Sequence, residues 1–172
     1  MPIEGSGDRQ VGLPGNLSLP LIVHARHDGS GSFVVRGVDA SGNDVQVLGT
    51  ALGAYDGTFA VGFVDACATP TVALHVATTG RWHLDIADAR LAPRYVNGVA
   101  GKGDSVLSYI GKAAKALITY SGHARFAVTT YGAEGPKLLA RSTGAFRAIV
   151  SIPSGPVFIV VTADSAWTIR PS

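Results

Sequence analysis

The sequence has a single cysteine, Cys67, and few charges: 15% of its 172 residues are charged, whereas 47% are hydrophobic. One cysteine excludes a small fold held together by disulfides, which needs several. The low charge and high hydrophobicity exclude a disordered polar chain. The length allows one large domain or two small ones.

Long apolar runs are also absent. The longest strongly apolar run, residues 157–161, is far shorter than the ~20 residues that a membrane-spanning helix needs. The first ten residues carry Glu4, Asp8 and Arg9 and no apolar stretch, so we expect no signal peptide in this sequence. We therefore predict a soluble chain with no membrane span.

The motifs of common enzymes and of nucleic-acid-binding proteins are missing as well. The sequence has neither the Gly-x-Ser-x-Gly turn of a hydrolase nor the Gly-x4-Gly-Lys-Ser/Thr loop that holds phosphates. Its basic residues are scattered singly, without the Lys/Arg clusters or aromatic stacking pattern that follow a phosphate backbone. We expect no enzyme, no cofactor and no nucleic-acid partner.

Lysine is absent from the first half of the chain. Residues 1–97 contain six arginines and nine carboxylates, a net charge of −3, whereas residues 98–172 contain eight bases and three acids, a net charge of +5. Opposite electrostatic fields steer two surfaces together, and they can also favour head-to-tail stacking of molecules. We expect protein partners, or self-association, through these oppositely charged halves; the alternative is that the two surfaces drifted apart in charge without a function.

The chain contains two copies of one pattern. The matched segments, in order, are Gly5–Asp8 with Gly101–Asp104, Leu21–Ala25 with Ala116–Tyr120, Ser32–Val35 with Arg125–Val128, Gly53–Tyr55 with Gly144–Phe146, and Trp82–Leu84 with Trp167–Ile169. The order is kept, and the spacing shrinks only at Gly-rich or polar positions. This is expected when strands persist and loops vary.

Each copy has the residue pattern of short strands separated by turns. Runs rich in Val, Ile, Thr, Phe and Tyr are interrupted by Gly, Asp, Asn or Pro. In the first copy the predicted strands are 19–26, 32–39, 44–50, 58–64, 71–77 and 81–87. The pattern predicts an all-β protein made of two tandem small antiparallel β-sandwiches, of jelly-roll or immunoglobulin-like type. We assign the first sandwich to residues 1–90, a linker to 91–100 and the second sandwich to 101–172.

The last two strands of the first copy are predicted to form a hairpin. Matching their apolar faces places His75 opposite His83, with Asp85 diagonal to His75. Cross-strand Cβ atoms lie about 4.5 to 5.5 Å apart, which is close enough for two imidazoles and a carboxylate to bind zinc. These three residues are a candidate metal site. The second copy lacks both histidines, so the alternative is ordinary exposed histidines.

The order of motifs resembles a repeat found in uncharacterised actinobacterial and actinophage proteins. The shared succession is Gly-x-Gly-Asp, a Phe-Val strand, Gly-Ala-Tyr/Phe and a closing Trp-x-Ile/Leu segment; similar copies carry a Gly-Pro-Tyr-x-Gly turn and a Trp-x-Ile-x-Ile end. Residues 53–57 keep most of that turn, whereas residues 144–148 lack its second glycine. The resemblance covers nearly the whole chain, and it implies a β-sandwich with no assigned chemistry.

Two functional hypotheses follow. The first is a non-catalytic structural or adhesive module of a surface assembly, specifically a phage virion protein such as a capsid decoration or tail component, located on the virion or the cell surface. The second is a carbohydrate-binding module for surface glycans, in which Tyr95 and Tyr131 form a platform for stacking sugars. The alternative for these tyrosines is a place in the core.

Overall fold

The computed structural model describes residues 1–63 and 68–172. Cys67 and the last residue of the strand predicted at 58–64 lie outside these ranges. The chain divides into two compact units, Met1–Leu91 (unit 1) and Ala92–Ser172 (unit 2). Both are built from antiparallel strands, so the all-β prediction is confirmed. In the described ranges, no helix has the length and apolar character needed to cross a bilayer.

The described part of unit 1 consists of β-strands and one short 3₁₀ turn, Ala89–Leu91. The strands are β1 (Pro2–Ser6), β2 (Arg9–Gly12), β3 (Leu21–Val38), β4 (Asp44–Val61), β5 (Ala73–Thr78) and β6 (Arg81–Asp88). The strands predicted at 19–26 and 32–39 are a single strand, β3. It bends between the two segments, where Gly29 and Gly31 adopt positive φ angles of 99° and 81°, a region that suits glycine.

Unit 2 has the same elements, but its long strands are interrupted. Its strands are β7 (Val99–Lys102), β8 (Ser105–Tyr109), β9 (Ala114–Tyr120), β10 (Arg125–Gly132), β11 (Gly135–Thr143), β12 (Phe146–Ile152), β13 (Val157–Thr162) and β14 (Ala166–Pro171). By position, β9 and β10 correspond to the two halves of β3, and β11 and β12 to the two halves of β4.

Both units have the strand order of a jelly roll. In unit 2 the two sheets run β7-β14-β9-β12 and β8-β13-β10-β11. In unit 1 they run β1-β6-β3-β4 and β2-β5-β3-β4, because β3 and β4 each contribute one half to either sheet. Numbered one to eight along each unit, the sheets are 1-8-3-6 and 2-7-4-5, which is a double Greek key rather than an immunoglobulin order.

The core of each unit lies between its two sheets. In unit 1 it joins Phe33 and Leu74 from one sheet to Leu84 and Ile86 from the other, and all four side chains are fully buried. In unit 2, the corresponding buried residues of the two sheets likewise form one hydrophobic cluster. Inward side chains alternate with outward ones along each strand, so each sheet has one apolar face and one face that carries polar groups.

The Gly-x-Gly-Asp motif and the tryptophan form the same brace in both units. In unit 1, Gly5 lies opposite Trp82 in the pairing of β1 with β6, and the indole Nε1 donates to the Gly7 carbonyl over 3.0 Å. In unit 2 the Trp167 Nε1 donates to the carbonyl of Gly103 over 2.9 Å. The motif therefore holds the first strand of each unit to the last.

The aspartate of the motif ties the brace to the opposite sheet. Asp8 Oδ1 accepts from the backbone N–H of Thr78 over 2.8 Å, and Asp104 Oδ1 accepts from that of Ala163 over 2.9 Å. Both amides lie at the end of the strand that precedes the tryptophan strand: Thr78 is the last residue of β5, and Ala163 directly follows β13. The two sheets are thus joined at this end by a side chain as well as by the loop.

The segment expected to be a linker packs on unit 2. The Tyr95 amide donates to the carbonyl of Ser108 over 2.8 Å, and the Tyr95 ring lies in the core of unit 2. Burial raises the pKa of the Tyr95 hydroxyl, and the neighbouring Tyr109 raises it further.

Asp88, at the end of β6, provides a test of the local geometry. The Arg90 side chain donates to both of its carboxylate oxygens, over 2.9 and 2.7 Å, and this lowers the pKa of Asp88 to about 2. In an NMR titration, we expect the Asp88 carboxyl to titrate near that value and to return toward about 3.9 in an Arg90→Ala variant. The contribution of this pair to stability is present above about pH 3.9 and is lost as the pH falls toward 2. An unchanged midpoint in Arg90→Ala would contradict the assignment.

Candidate functional site

The predicted hairpin of β5 and β6 is wrong. These strands belong to opposite sheets: β5 pairs with β2 and β3, and β6 pairs with β1 and β3. His75 therefore lies opposite Gln10 and Arg36, while His83 lies opposite Glu4 and Arg26. The apolar faces of β5 and β6 meet across the core instead of side by side, which leaves the two histidines on opposite outer faces.

The proposed metal trio is not brought together. The His75 imidazole lies 3.8 Å from the Asp44 carboxylate, and that of His83 lies 3.2 Å from Glu4. The N-terminal ammonium donates to Asp85 over 2.9 Å, and this lowers the pKa of Asp85. Among the residues that the structure describes, no three His, Cys, Asp or Glu side chains are grouped closely enough to hold a metal ion.

The tyrosine platform is also wrong for one of its two members. Tyr95 is only 7% exposed, and its ring packs against the edge of Tyr109 at 5.8 Å between centroids. Tyr131 is half-buried on β10. Tyr95 therefore presents no ring face on which a sugar could stack.

A wide polar depression of about 560 Å³ opens beside β2 and β5 in unit 1. Its lining includes Asp8, Asp44 and His75. Asp8 already accepts the Thr78 amide, and Asp44 lies 3.5 Å from the Arg36 guanidinium. The two carboxylates of the depression are therefore engaged by the fold itself.

A buried histidine, His27, was not singled out by the sequence. Its ring stacks on Phe33 at 4.9 Å, and its Nδ1 donates to the Gly53 carbonyl over 2.8 Å. Its Nε2 accepts from the Thr78 hydroxyl over 2.8 Å. The hydrogen-bonding capacity of the ring is thus satisfied inside the core, and we assign His27 a structural role.

The two units match residue by residue once their pairing is compared. His27 lies opposite Tyr55 and Trp82 in unit 1, and Tyr120 lies opposite Phe146 and Trp167 in unit 2. Tyr120 stacks on Phe126 as His27 stacks on Phe33. Tyr120 is therefore the counterpart of His27, and the sequence match of Ala25 with Tyr120 was displaced by two residues.

This alignment reveals reversed charges on equivalent outer faces. Asp56 follows Tyr55, and Arg147 follows Phe146, so the two occupy the same position on the last strand of their sheets. Asp85 pairs with His24 and Arg170 pairs with Leu117, which are again equivalent positions. All four charged side chains are exposed. At these two positions, the same sheet face therefore carries acids in unit 1 and bases in unit 2.

The electrostatic surroundings of the two faces also differ. On the neighbouring strand β3, the His24 imidazole lies 2.6 Å from the Asp56 carboxylate, and the Arg26 guanidinium lies 4.0 Å from it. On β9, the strand beside Arg147, the corresponding residues are Leu117 and Thr119, which carry no charge. Within the residues that the structure describes, neither Arg147 nor Arg170 has a carboxylate at ion-pairing distance.

The net charges of the units follow the same division. Unit 1 contains five arginines and nine acids, a net charge of −4, and unit 2 contains nine bases and three acids, a net charge of +6. The sequence already contained this signal, because the offsets of its last two matched segments align Asp56 with Arg147 and Asp85 with Arg170. The candidate site is this pair of outer faces.

No family model and no curated protein matches the chain. Among solved structures, it is similar to the regulatory subunit of a cAMP-independent protein kinase A from Trypanosoma brucei, with 10% identity, coverage of 99% of this chain and 71% of that one, and a TM-score of 0.30. The regulatory subunit from Trypanosoma cruzi, bound to guanosine, gives 12% identity, the same coverages and a TM-score of 0.28.

Proposed function

We propose that the chain is a non-catalytic structural protein that acts by binding protein surfaces, in the specific form of a phage virion component such as a capsid decoration or tail protein. The observation that carries the proposal is the reversal of charge at equivalent exposed positions of two units with one fold. Asp56 and Asp85 stand in unit 1 where Arg147 and Arg170 stand in unit 2. One molecule thereby carries two complementary surfaces.

Complementary surfaces on one chain favour assembly of several copies. A contact between two different surfaces leaves one of each free on the resulting pair, so that further copies add until a ring closes or a filament grows. The opposite net charges of the units also steer encounters between molecules. Both properties suit a protein that coats or extends a larger particle.

The fold and the sequence resemblance are compatible with this role. Jelly rolls build viral capsid domains, but they also build lectins and cupins, so the charge pattern carries the proposal and the fold does not. The resemblance to an actinobacterial and actinophage repeat favours a source of that kind.

The proposal is tested by sedimentation velocity at two salt concentrations. At about 0.1 M salt, where the Debye length is about 10 Å, we expect the sedimentation coefficient to rise with protein concentration above that of the 17.6 kDa monomer. At about 1 M salt, where that length is about 3 Å, we expect the monomer at every concentration. A monomer under both conditions would contradict assembly through charged surfaces.

The neighbouring genes distinguish the virion form from the cell-surface form. Capsid and tail genes beside this one would support a virion protein. Genes for secretion and cell-wall synthesis would place the assembly on a cell surface instead. Either outcome is independent of the sedimentation experiment, which tests only the association.

A further inference from the structure

The outer face of the sheet β7-β14-β9-β12 in unit 2 carries one base from each of its strands. Side chains such as Ile118, Trp167 and Ile169 are buried on the inner face of this sheet, so the residues that alternate with them point outward. The bases at these outward positions are all exposed. They are Lys102 on β7, Arg170 on β14, Lys115 on β9 and Arg147 on β12. We call this surface the basic face.

The outward positions of these four strands hold no acid. Asp104 is buried in the brace, Glu134 lies in the turn between β10 and β11, and Asp164 lies in the loop between β13 and β14. Over residues 1–63 and 68–172, no carboxylate lies at ion-pairing distance from any of the four bases. The basic face therefore presents its positive charges to solvent without compensation by the described residues.

The equivalent face of unit 1 compensates its own charges. The His24 imidazole lies 2.6 Å from the Asp56 carboxylate, and the His83 imidazole lies 3.2 Å from Glu4. The N-terminal ammonium donates to Asp85 over 2.9 Å. Each of these three carboxylates thus has a basic group beside it. The outer face with uncompensated charge is the one on unit 2.

Apolar side chains lie among the bases of the basic face. In the register of β12, β9 and β14, Leu117 lies between Ile149 and Arg170. Ile149 is 62% exposed. A phosphate or sulfate backbone has no apolar surface to cover Ile149, whereas more than half of a typical protein surface is apolar. The outward positions of these strands also contain no aromatic residue on which nucleic-acid bases could stack. The composition of the face therefore fits a protein partner.

We propose that the basic face docks on an acidic surface of a different protein, where carboxylates meet the four bases and apolar side chains cover Ile149 and Leu117. This inference rests on the proposed function and names the partner, a protein whose exposed surface is rich in Asp and Glu. Complementary charge speeds the encounter and fixes the orientation, and burial of the apolar side chains adds affinity. Unit 1 of a second copy is a weaker occupant, because its carboxylates already have basic neighbours.

Binding of a labelled acidic polymer to the full chain tests the docking surface. The probe is a random copolymer of glutamate and tyrosine, which carries carboxylates and apolar rings; poly-L-glutamate carries the charge alone. In fluorescence anisotropy at about 0.1 M salt, we expect Arg147→Gln/Arg170→Gln to bind the copolymer at least about tenfold more weakly than the wild type. We expect Ile149→Ser to bind the copolymer about threefold more weakly and poly-L-glutamate without change.

Arg125→Gln/Arg141→Gln is the matched control. Both arginines are exposed but lie on β10 and β11 of the other sheet, and their replacement changes the net charge by the same amount. We expect it to weaken copolymer binding by less than about twofold. Circular dichroism checks that each variant is folded. Equal weakening by the two double variants would show that net charge alone attracts the probe, and it would overturn the proposal.

Two further results would assign the basic face to another occupant and overturn the proposal. If Arg147→Gln/Arg170→Gln no longer self-associates but binds the copolymer like the wild type, the face serves a second copy. If that variant binds heparin or duplex DNA tenfold more weakly while Ile149→Ser binds the copolymer normally, the occupant is a polyanion. A chain that self-associates in sedimentation but never binds the copolymer would keep the proposed function and refute only this inference.

Discussion

Replacing Gly5 with valine is expected to lower the free energy of unfolding of unit 1 by about 3 to 5 kcal/mol. A Cβ atom on Gly5 would lie 2.3 Å from the six-membered ring of Trp82, which is far inside van der Waals contact. The indole must then leave its site and lose its bond to the Gly7 carbonyl, so the cost approaches that of removing the tryptophan. A domain of this size is stable by only about 5 to 15 kcal/mol.

The measurement uses the distribution of tryptophan, since the chain has only Trp82 and Trp167. In a Trp167→Phe background, denaturation followed by fluorescence reports the surroundings of Trp82. Gly12→Val is the matched control, because no described atom lies within 4 Å of a Cβ at Gly12. We expect a change below about 1 kcal/mol there. Equal effects at Gly5 and Gly12 would show that the loss of glycine, and not the contact with the indole, sets the stability.

Asp104→Ala is expected to destabilise unit 2 by about 1.5 to 3 kcal/mol, and Asp8→Ala to destabilise unit 1 by about 1 kcal/mol or less. Both carboxylates accept one backbone N–H from the same place in the fold. Asp104 is only 8% exposed, so its removal leaves the Ala163 amide buried without an acceptor. Asp8 is exposed, and water can replace it.

Denaturation followed by Trp167 fluorescence measures the first effect, in a Trp82→Phe background. The second is measured by Trp82 in the complementary background. Asp104→Asn keeps an oxygen acceptor at the same position, and it should recover much of the loss. If Asp8→Ala and Asp104→Ala cost the same, burial is not what makes the unit 2 brace more sensitive.

The sequence was sufficient for the fold class because the repeat and the alternation of apolar residues are local signals. Strand pairing was not predictable in the same way. β5 and β6 each present one apolar face, as they would in a hairpin, but alternation only shows which side chains point inward. It does not show whether two inward faces belong to one sheet or meet across a core. The metal site of His75 and His83 failed for this reason.

The register of the repeat was also only partly determined by the residues. Short apolar runs align equally well after a shift of two, since such a shift preserves the inward face. Leu21–Ala25 was therefore matched two residues out of place, and the equivalence of His27 with Tyr120 was hidden. Histidine and tyrosine are different residue types, so a sequence comparison does not match them. In the structure, however, His27 and Tyr120 each stack on a phenylalanine and donate a hydrogen bond.

The pairing of the first strand of each unit with its last also governs the order of events during synthesis. β1 pairs with β6 across 75 to 83 residues of chain, and β7 pairs with β14 across 64 to 70. A nascent chain therefore cannot complete unit 1 until β6 has left the ribosome, and β1 must wait unpaired until then. β6, the partner of β1, and β5, the partner of β2, both lie within the first 91 residues. All strands of unit 1 are therefore synthesised before most of unit 2 is translated.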